Sequence, residues 1–218
     1  KIDRIISKPI ACGINVLNKN KNNKDFLLIN FDKEFSGISL FEDSALVFTK
    51  IFPFGTNSII QDISKLCSIN ENEIRLIIKE IDFTRTISEK KYIDKSFFIE
   101  SKFKKLTNQH VKEIINARII EMLDYLFNKN INLKHVREKI LNVDIFFEDK
   151  EVLKHLGKLF HENLIVDEMK TQIELMHLDD FFALLGAAEL IYKGWDKEAI
   201  PLIKVKKSII SRFFERFF

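Results

Sequence analysis

The sequence predicts an α/β fold, and three observations carry that reading. Three short apolar runs, residues 26–31, 37–41 and 45–52, follow one another with only a few polar residues between them, as in an antiparallel meander. Residues 107–127 then repeat Val111, Ile114, Ile115, Ile119, Met122, Leu123 and Leu126 at helical spacing. A further strand-type run at 143–147 is followed by a second helical period. Composition agrees: 46% of the 218 residues are apolar and 31% charged, which supports a core and excludes a disordered chain. Only 6 Gly and 3 Pro favour long helices over glycine-built phosphate loops.

Residues 10–17 read as the end of a helix, and the Asn- and Lys-rich stretch 18–25 as a loop. Turns at 32–36 and 42–44 separate the three strands. Pro53, Phe54 and Gly55 break the sheet. Thr56 or Asn57 caps a helix carrying Ile59, Ile60, Ile63 and Leu66 on one face. Asn70, with Glu73 three residues on, fits a capping box opening a helix through Ile81. Residues 83–101 show no clear period, and a hairpin anchored by Tyr92, Phe97 and Phe98 is one reading. After the 143–147 strand, a helix is expected from 149 to about 162 and a short edge strand at 164–166. Asp179 or Asp180 then starts a helix through Lys193, where Gly186, Ala187 and Ala188 allow close approach to the sheet. Residues 196–207 read as a linker and 208–218 as a separate element.

Several chemistries are excluded or weak. A net charge of +3 makes no global case for nucleic acid. Cys12 and Cys67 cannot form a disulfide framework or a four-thiolate zinc site. His110, His135, His155, His161 and His177 lack metal-ligand spacing, so no metal is expected. No catalytic triad or paired carboxylates stand out, so no catalytic residue is assigned. No apolar run approaches a membrane span, and no signal peptide is seen, so a cytosolic compartment is expected. The chain starts at Lys1, which reads as a fragment lacking an N-terminal half. Arg118 falls inside the apolar arc of the long helix. It reads either as a snorkelling side chain or as a buried pairing or partner contact.

Two segments invite a binding role. Strand, tight turn and strand over residues 28–41 have the topology of a phosphate-binding hairpin. Its turn, however, carries Asp32 and Glu34, with only Lys33 to offset them. At the other end, a helical wheel of 208–218 puts Ile209, Ile210, Phe213, Phe214, Phe217 and Phe218 on one half. Ser208, Ser211, Arg212, Glu215 and Arg216 take the other half. Residues 203–218 carry +4, from Lys204, Lys206, Lys207, Arg212 and Arg216 against Glu215, leaving −1 for the rest. A basic, aromatic-rich amphipathic end after a linker has the composition of an interfacial membrane helix. Docking of that end on the core is the other reading.

Residues 9–17 (PIACGINVL) resemble the "PLASALAVL" stretch of the bacterial cell-division protein FtsA, an actin-like family. Residues 27–41 (LLINFDKEFSGISLF) resemble its second phosphate motif, "DIGGGTTSIAVF". Residues 45–63 resemble "ALVHTAVIPVGGDHITNDI", and 111–121 (VKEIINARIIE) is similar to "LAEIIEPRVEE", with Arg118 on the motif's arginine. Residues 182–192 (FALLGAAELIY) resemble "YATAVGLLLY". The order covers nearly the whole chain. It implies the second half of an actin-like, ribonuclease-H-like fold with a helical subdomain and a C-terminal amphipathic helix. The implied division is a sheet subdomain over 1–56 and 128–195, a helical subdomain over 57–127, a linker over 196–207 and a membrane helix over 208–218.

The chain departs from the family at Asn30, which replaces the motif's acid, and at Asp32, Lys33 and Glu34, which replace its glycines. Glu148, Asp149, Lys150 and Glu151 stand where an adenosine loop is expected. What remains of nucleotide contact falls on Ser36 and Gly37, and ATP with Mg is left to the missing first half. The resemblance implies a tether of FtsZ filaments to the inner face of the cytoplasmic membrane at the division septum. It holds the FtsZ C-terminal peptide near Lys112 and Arg118, self-associates into filaments, and meets an anionic membrane surface through Ile209, Ile210, Arg212, Phe213, Phe214, Arg216, Phe217 and Phe218. A pilus-platform protein like PilM and an actin-fold ATPase or sugar kinase are the alternatives.

Overall fold

The computed structural model describes residues 5–19, 24–83, 91–130, 133, 142–164 and 172–193. Five strands, β1 (Phe26–Phe31), β2 (Ser36–Glu42), β3 (Ala45–Phe52), β4 (Asn142–Phe147) and β5 (Gln172–His177), form one sheet in the order β3-β2-β1-β4-β5. β1 pairs antiparallel with β2 and parallel with β4, and β4 runs parallel to β5. The expected meander is present. β1 is covered on both faces, which is why its sequence is a continuous apolar run and not an alternation. Leu27, Ile29 and Phe31 enter one core, Phe26 and Leu28 the other.

The β2–β3 turn is two residues long. Asp43 and Ser44 both take positive φ, 50° and 69°, the pattern whose twist matches antiparallel strands. Neither is glycine. Bonds to the residues just before β1 hold the turn: the Asp43 amide donates to Asp25 Oδ1 at 2.7 Å and the Ser44 amide to Lys24 O at 3.0 Å.

Among the described residues, six α-helices flank the sheet: α1 (Lys8–Lys19), α2 (Asn57–Cys67), α3 (Glu71–Glu80), α4 (Asn108–Leu123), α5 (Lys150–Leu164) and α6 (Asp180–Lys193). α1 and α6 cross on one face over Phe26, Phe41 and Phe146 of the sheet, with Phe182 of α6 packed among them. The other helices contribute to the larger core on the opposite face. There Phe31, Phe147 and Phe160 pack ring on ring, with centroids 4.8–5.3 Å apart. The capping box at Asn70 and Glu73 is formed, and Asp179 caps α6 by accepting from the Phe182 amide at 2.8 Å.

Several expectations are corrected. Leu66 is 69% exposed, and Cys67 takes the buried place at the end of α2, because a full turn from Ile63 lands there. Thr56 occupies the N-cap of α2 without a side-chain cap bond. Within 83–101 the described residues form a 3-10 turn at Lys95–Phe97 and a single bridge between Tyr92 and Thr107, not a hairpin. Tyr92 is half exposed, its side chain outside the core. Leu164 ends α5 and is not strand, while 165–166 lie outside the described residues. The edge strand is β5, six residues that the sequence reading passed over. The small-residue run at Gly186 meets α1 and not the sheet: a Cβ there would lie 1.8 Å from Ala11 O. Residues 194–218, with the linker and all the expected membrane contacts, lie outside the described residues.

Candidate functional site

The end of the sheet that carries the β1–β2 turn is where a phosphate would sit. The turn closes through the Asp32 amide bonded to Phe35 O at 2.9 Å. Lys8 of α1, and not Lys33, stands beside Asp32, with Nζ 3.9 Å from Oδ1. Burial pushes the Asp32 carboxyl above its ordinary range, against Lys8 and with a smaller push from Glu148. Glu34 accepts a hydrogen bond from Asn57 Nδ2.

Gly55 presses its backbone onto this turn. A Cβ there would come within 2.4 Å of Asp32 O. The contact lets the Thr56 amide donate to Asp32 O at 3.0 Å and the Asn57 amide to Lys33 O at 2.9 Å. The Ser58 and Ile59 amides bond to Gly55 O and Thr56 O. The first amides of α2 are thus used inside the protein, and those are the donors an anion would need. Ser36 is buried, and its hydroxyl donates to Phe54 O at 2.7 Å. A Cβ on Gly37 would meet only Lys50 O at 3.9 Å, so packing does not demand glycine there. At the next strand end, Asp149 Oδ1 accepts from the Glu151 and Val152 amides at 2.9 and 3.3 Å, placing the protein's own carboxylate at the N-terminus of α5.

A second concavity lies between α2 and α4. It is an open groove of about 310 Å³ lined by Asp62, Leu66, His110, Ile114, Arg118 and Glu121, among others. Thr107 caps α4 by accepting from the His110 amide at 3.2 Å. Arg118 extends from α4 across to Asp62 of α2, with Nε bonded to Oδ2, while Nη1 meets Glu121 at 2.8 Å. The Asp62 bond, opposed by burial, raises the affinity of the guanidinium for its proton. Of the two readings of Arg118, the structure displays a pairing within the chain. Its side chain is still 26% exposed at the groove wall. Lys112 lies on α4 but does not line the groove. Asp62, Leu66 and His110 went unnoticed as site residues in the sequence, because only the packing of α2 on α4 brings them to Arg118. Among the described residues, no group of His, Cys, Asp and Glu could hold a metal ion, and no helix is long and apolar enough to cross a membrane.

The fold is that of the actin-like proteins. An archaeal actin homologue superposes with a TM-score of 0.53 at 10% identity, covering 87% of this chain and 56% of its own. MreB 5 of Spiroplasma citri bound to AMPPNP gives 0.53 at 12% identity, over 95% and 61%. A chain of the PilM–PilN type IV pilus biogenesis complex gives 0.52 at 10% identity, over 83% and 44%. In sequence, the chain is similar to the cell division protein FtsA of Bacillus subtilis (strain 168), 25% identical over 126 residues, or 57% of this chain and 29% of that protein. An uncharacterized protein of Acanthamoeba polyphaga mimivirus is 30% identical over 125 residues, or 56% and 33%. The matches thus span about a third of the curated relatives and roughly half of the solved structures. No protein-family model matches the chain.

Proposed function

We propose that this chain is part of an FtsA-like tether, an actin-like scaffold that links FtsZ filaments to the inner face of the cytoplasmic membrane at the division septum. The observation that carries this reading is the α2–α4 groove. An exposed Leu66 and the apolar Ile114 lie beside a guanidinium, in a concavity open along two helices. Arg118 is already paired with Asp62 and Glu121, so it is the apolar wall of the groove that suits an amphipathic peptide, docked helix-in-groove. Arg118 also stands where the resembling motif has its arginine. Residues 208–218 supply the membrane contact in this reading, and copies side by side in a filament multiply it through effective concentration. Among the described residues, the amides and hydroxyl at the sheet end are already bonded within the chain, which argues against ATP binding there.

The fold itself suits a PilM-like platform protein or an actin-fold ATPase equally well. The tail favours the tether over the first, and the acidic turn at Asp32 and Glu34 disfavours the second. The test is the affinity of an FtsZ C-terminal peptide for this protein, by fluorescence anisotropy. Leu66→Glu and Arg118→Ala are expected to weaken it by about tenfold or more, and Lys112→Glu, outside the groove, to change it little. Leu66 is exposed, so its substitution leaves the fold intact. Unchanged affinity in folded Leu66→Glu and Arg118→Ala proteins places the peptide elsewhere. Micromolar binding of ATP by calorimetry would overturn the nucleotide part alone.

A further inference from the structure

The one guanidinium of the α2–α4 groove is already spoken for. Arg118 is bonded through Nε to Asp62 of α2 and through Nη1 to Glu121 at 2.8 Å, so it meets two carboxylates before any partner arrives. The three groups together carry −1. Glu113 adds another carboxylate to the lining, with His110 Nδ1 3.9 Å from it. With histidine neutral, the lining as a whole carries −2, from Asp62, Glu113 and Glu121 against Arg118. Lys65 and Lys112 belong to the same two helices but do not line the groove. This pairing is internal to α2 and α4 and owes nothing to any other segment.

The charges are also ordered along the groove. Glu113 and Glu121 are eight positions apart on α4, about 12 Å at the helical rise. Ile114 and Ala117 lie between them on the same stripe, and Leu66 supplies the apolar part of the α2 wall. An apolar middle thus stands between two carboxylates.

We infer that the groove takes an amphipathic helix with Lys or Arg at both ends of a short apolar stretch, and rejects one with acids there. This rests on the peptide-docking role given above and states the charge that the docked partner carries. An incoming acid has to displace Asp62 or Glu121 from Arg118 and face the like charges that remain, and such juxtapositions turn partners away. An incoming cation meets Glu113 and Glu121 without breaking the Arg118 bonds, since a carboxylate has lone pairs for several donors. Each exposed ion pair of this kind changes affinity by up to about fivefold. Arg118 itself acts by position. It bridges α2 to α4 and so fixes the spacing of the walls between which the apolar contact is made.

Three end-capped, alanine-based helical peptides test the selection by calorimetry. Each carries two leucines between a pair of residues seven positions apart, about 11 Å, and the pair is lysine, glutamine or glutamate. The expected order of affinity is lysine, then glutamine, then glutamate, with about tenfold between first and last. That difference is expected to shrink as sodium chloride is raised to about 0.5 M. Glu113→Lys, at a side chain 61% exposed, is expected to abolish the preference while the glutamine peptide binds as before. Leu66→Ser is expected to weaken all three peptides. Equal affinities of the three overturn the charge selection and leave the docking role standing. So does a tighter glutamate peptide, because the partner is then acidic. A lysine preference that survives Glu113→Lys, or binding untouched by Leu66→Ser, also overturns the inference, since the cations then sit elsewhere. If none of the three binds the folded protein, the groove is filled by another part of the polypeptide or docks no peptide, and the inference and the docking role both fall.

Discussion

Asp144 lies in β4, only 7% exposed, on the face that packs under α1 and α6. Burial, then Glu174 opposite it on β5, raise its carboxyl to about 6 from an ordinary 3.8, with Lys19 opposing. Between about pH 4 and 6 the folded chain therefore keeps a proton that the unfolded chain has lost, so this group lowers stability as pH rises through that window. Asp144→Asn is expected to stabilise the protein by about 2 kcal/mol at pH 7, with no gain near pH 4, as urea denaturation at the two pH values will register. Glu73 has the opposite sign. Burial would raise its carboxyl, but bonds from the Ser101 side chain and from the Ser101, Glu100 and Asn70 amides outweigh that and hold it at about 2. Its contribution is present above about pH 4.5 and is lost as pH falls toward 2. Glu73→Ala leaves the Glu100 and Ser101 amides, bonded at 2.6 and 3.0 Å, without their acceptor. It should cost about 3 kcal/mol at neutral pH, measurable as a lower denaturation midpoint. Asn70 and Glu73 were legible as a capping box because the motif spans three residues. The bonds from Glu100 and Ser101 were not, since they join positions 27 and 28 residues apart.

At the scale of elements, the crossing of α1 and α6 is the feature most open to a single substitution. Gly186 brings the helices together so closely that an added Cβ meets backbone at Ala11, which cannot swing aside as a side chain can. Asn15 ties the crossing by donating from Nδ2 to Phe182 O at 2.9 Å. Gly186→Ala is expected to destabilise by about 3 kcal/mol, through overpacking, in thermal or urea unfolding. Helix propensity alone would make Gly186→Ala stabilising by about 1 kcal/mol, so a loss there marks the crossing, while Ala188→Ser on the exposed side of the same helix should change little. The sequence marked the run as an approach site but named the wrong neighbour. Small residues show that something comes close, while the layer on which the helix lands is decided by chain connectivity. The misplaced edge strand has a related cause. Leu164 continues the buried stripe of α5 one turn after Phe160, and that helical environment prevails over the strand propensity of an apolar triplet.

For the whole molecule, the tail sets the expected behaviour. Full burial of six apolar side chains bounds its apolar contribution near 9–18 kcal/mol, at ~1.5–3 kcal/mol each. Ordering a segment shorter than ~12 residues removes a large part of that, and each cation near an anionic surface adds about 1 kcal/mol. Phe213→Glu with Phe217→Glu is expected to abolish flotation with anionic vesicles while circular dichroism of the folded part is unchanged. Flotation equal to that of the parent chain would mean that the tail is not the membrane contact.

What the sequence determined by itself was local. The apolar run of β1, the meander, the period of α4 and the cap at Asn70 rest on neighbours within a few residues, where backbone geometry and side-chain type decide the outcome. The motif order from Pro9 to Tyr192 likewise led to the actin-like fold class. Tertiary structure alone decided what depends on distant partners. It placed β5 at the sheet edge and turned Gly186 onto Ala11. It gave Arg118 to Asp62, 56 residues away, and used the first amides of α2 on the Asp32–Lys33 turn. Among the described residues, the outer side of α6 is exposed for the same reason. Its residues are as apolar as those of the buried side, and only the layer beneath the helix determines which side is covered.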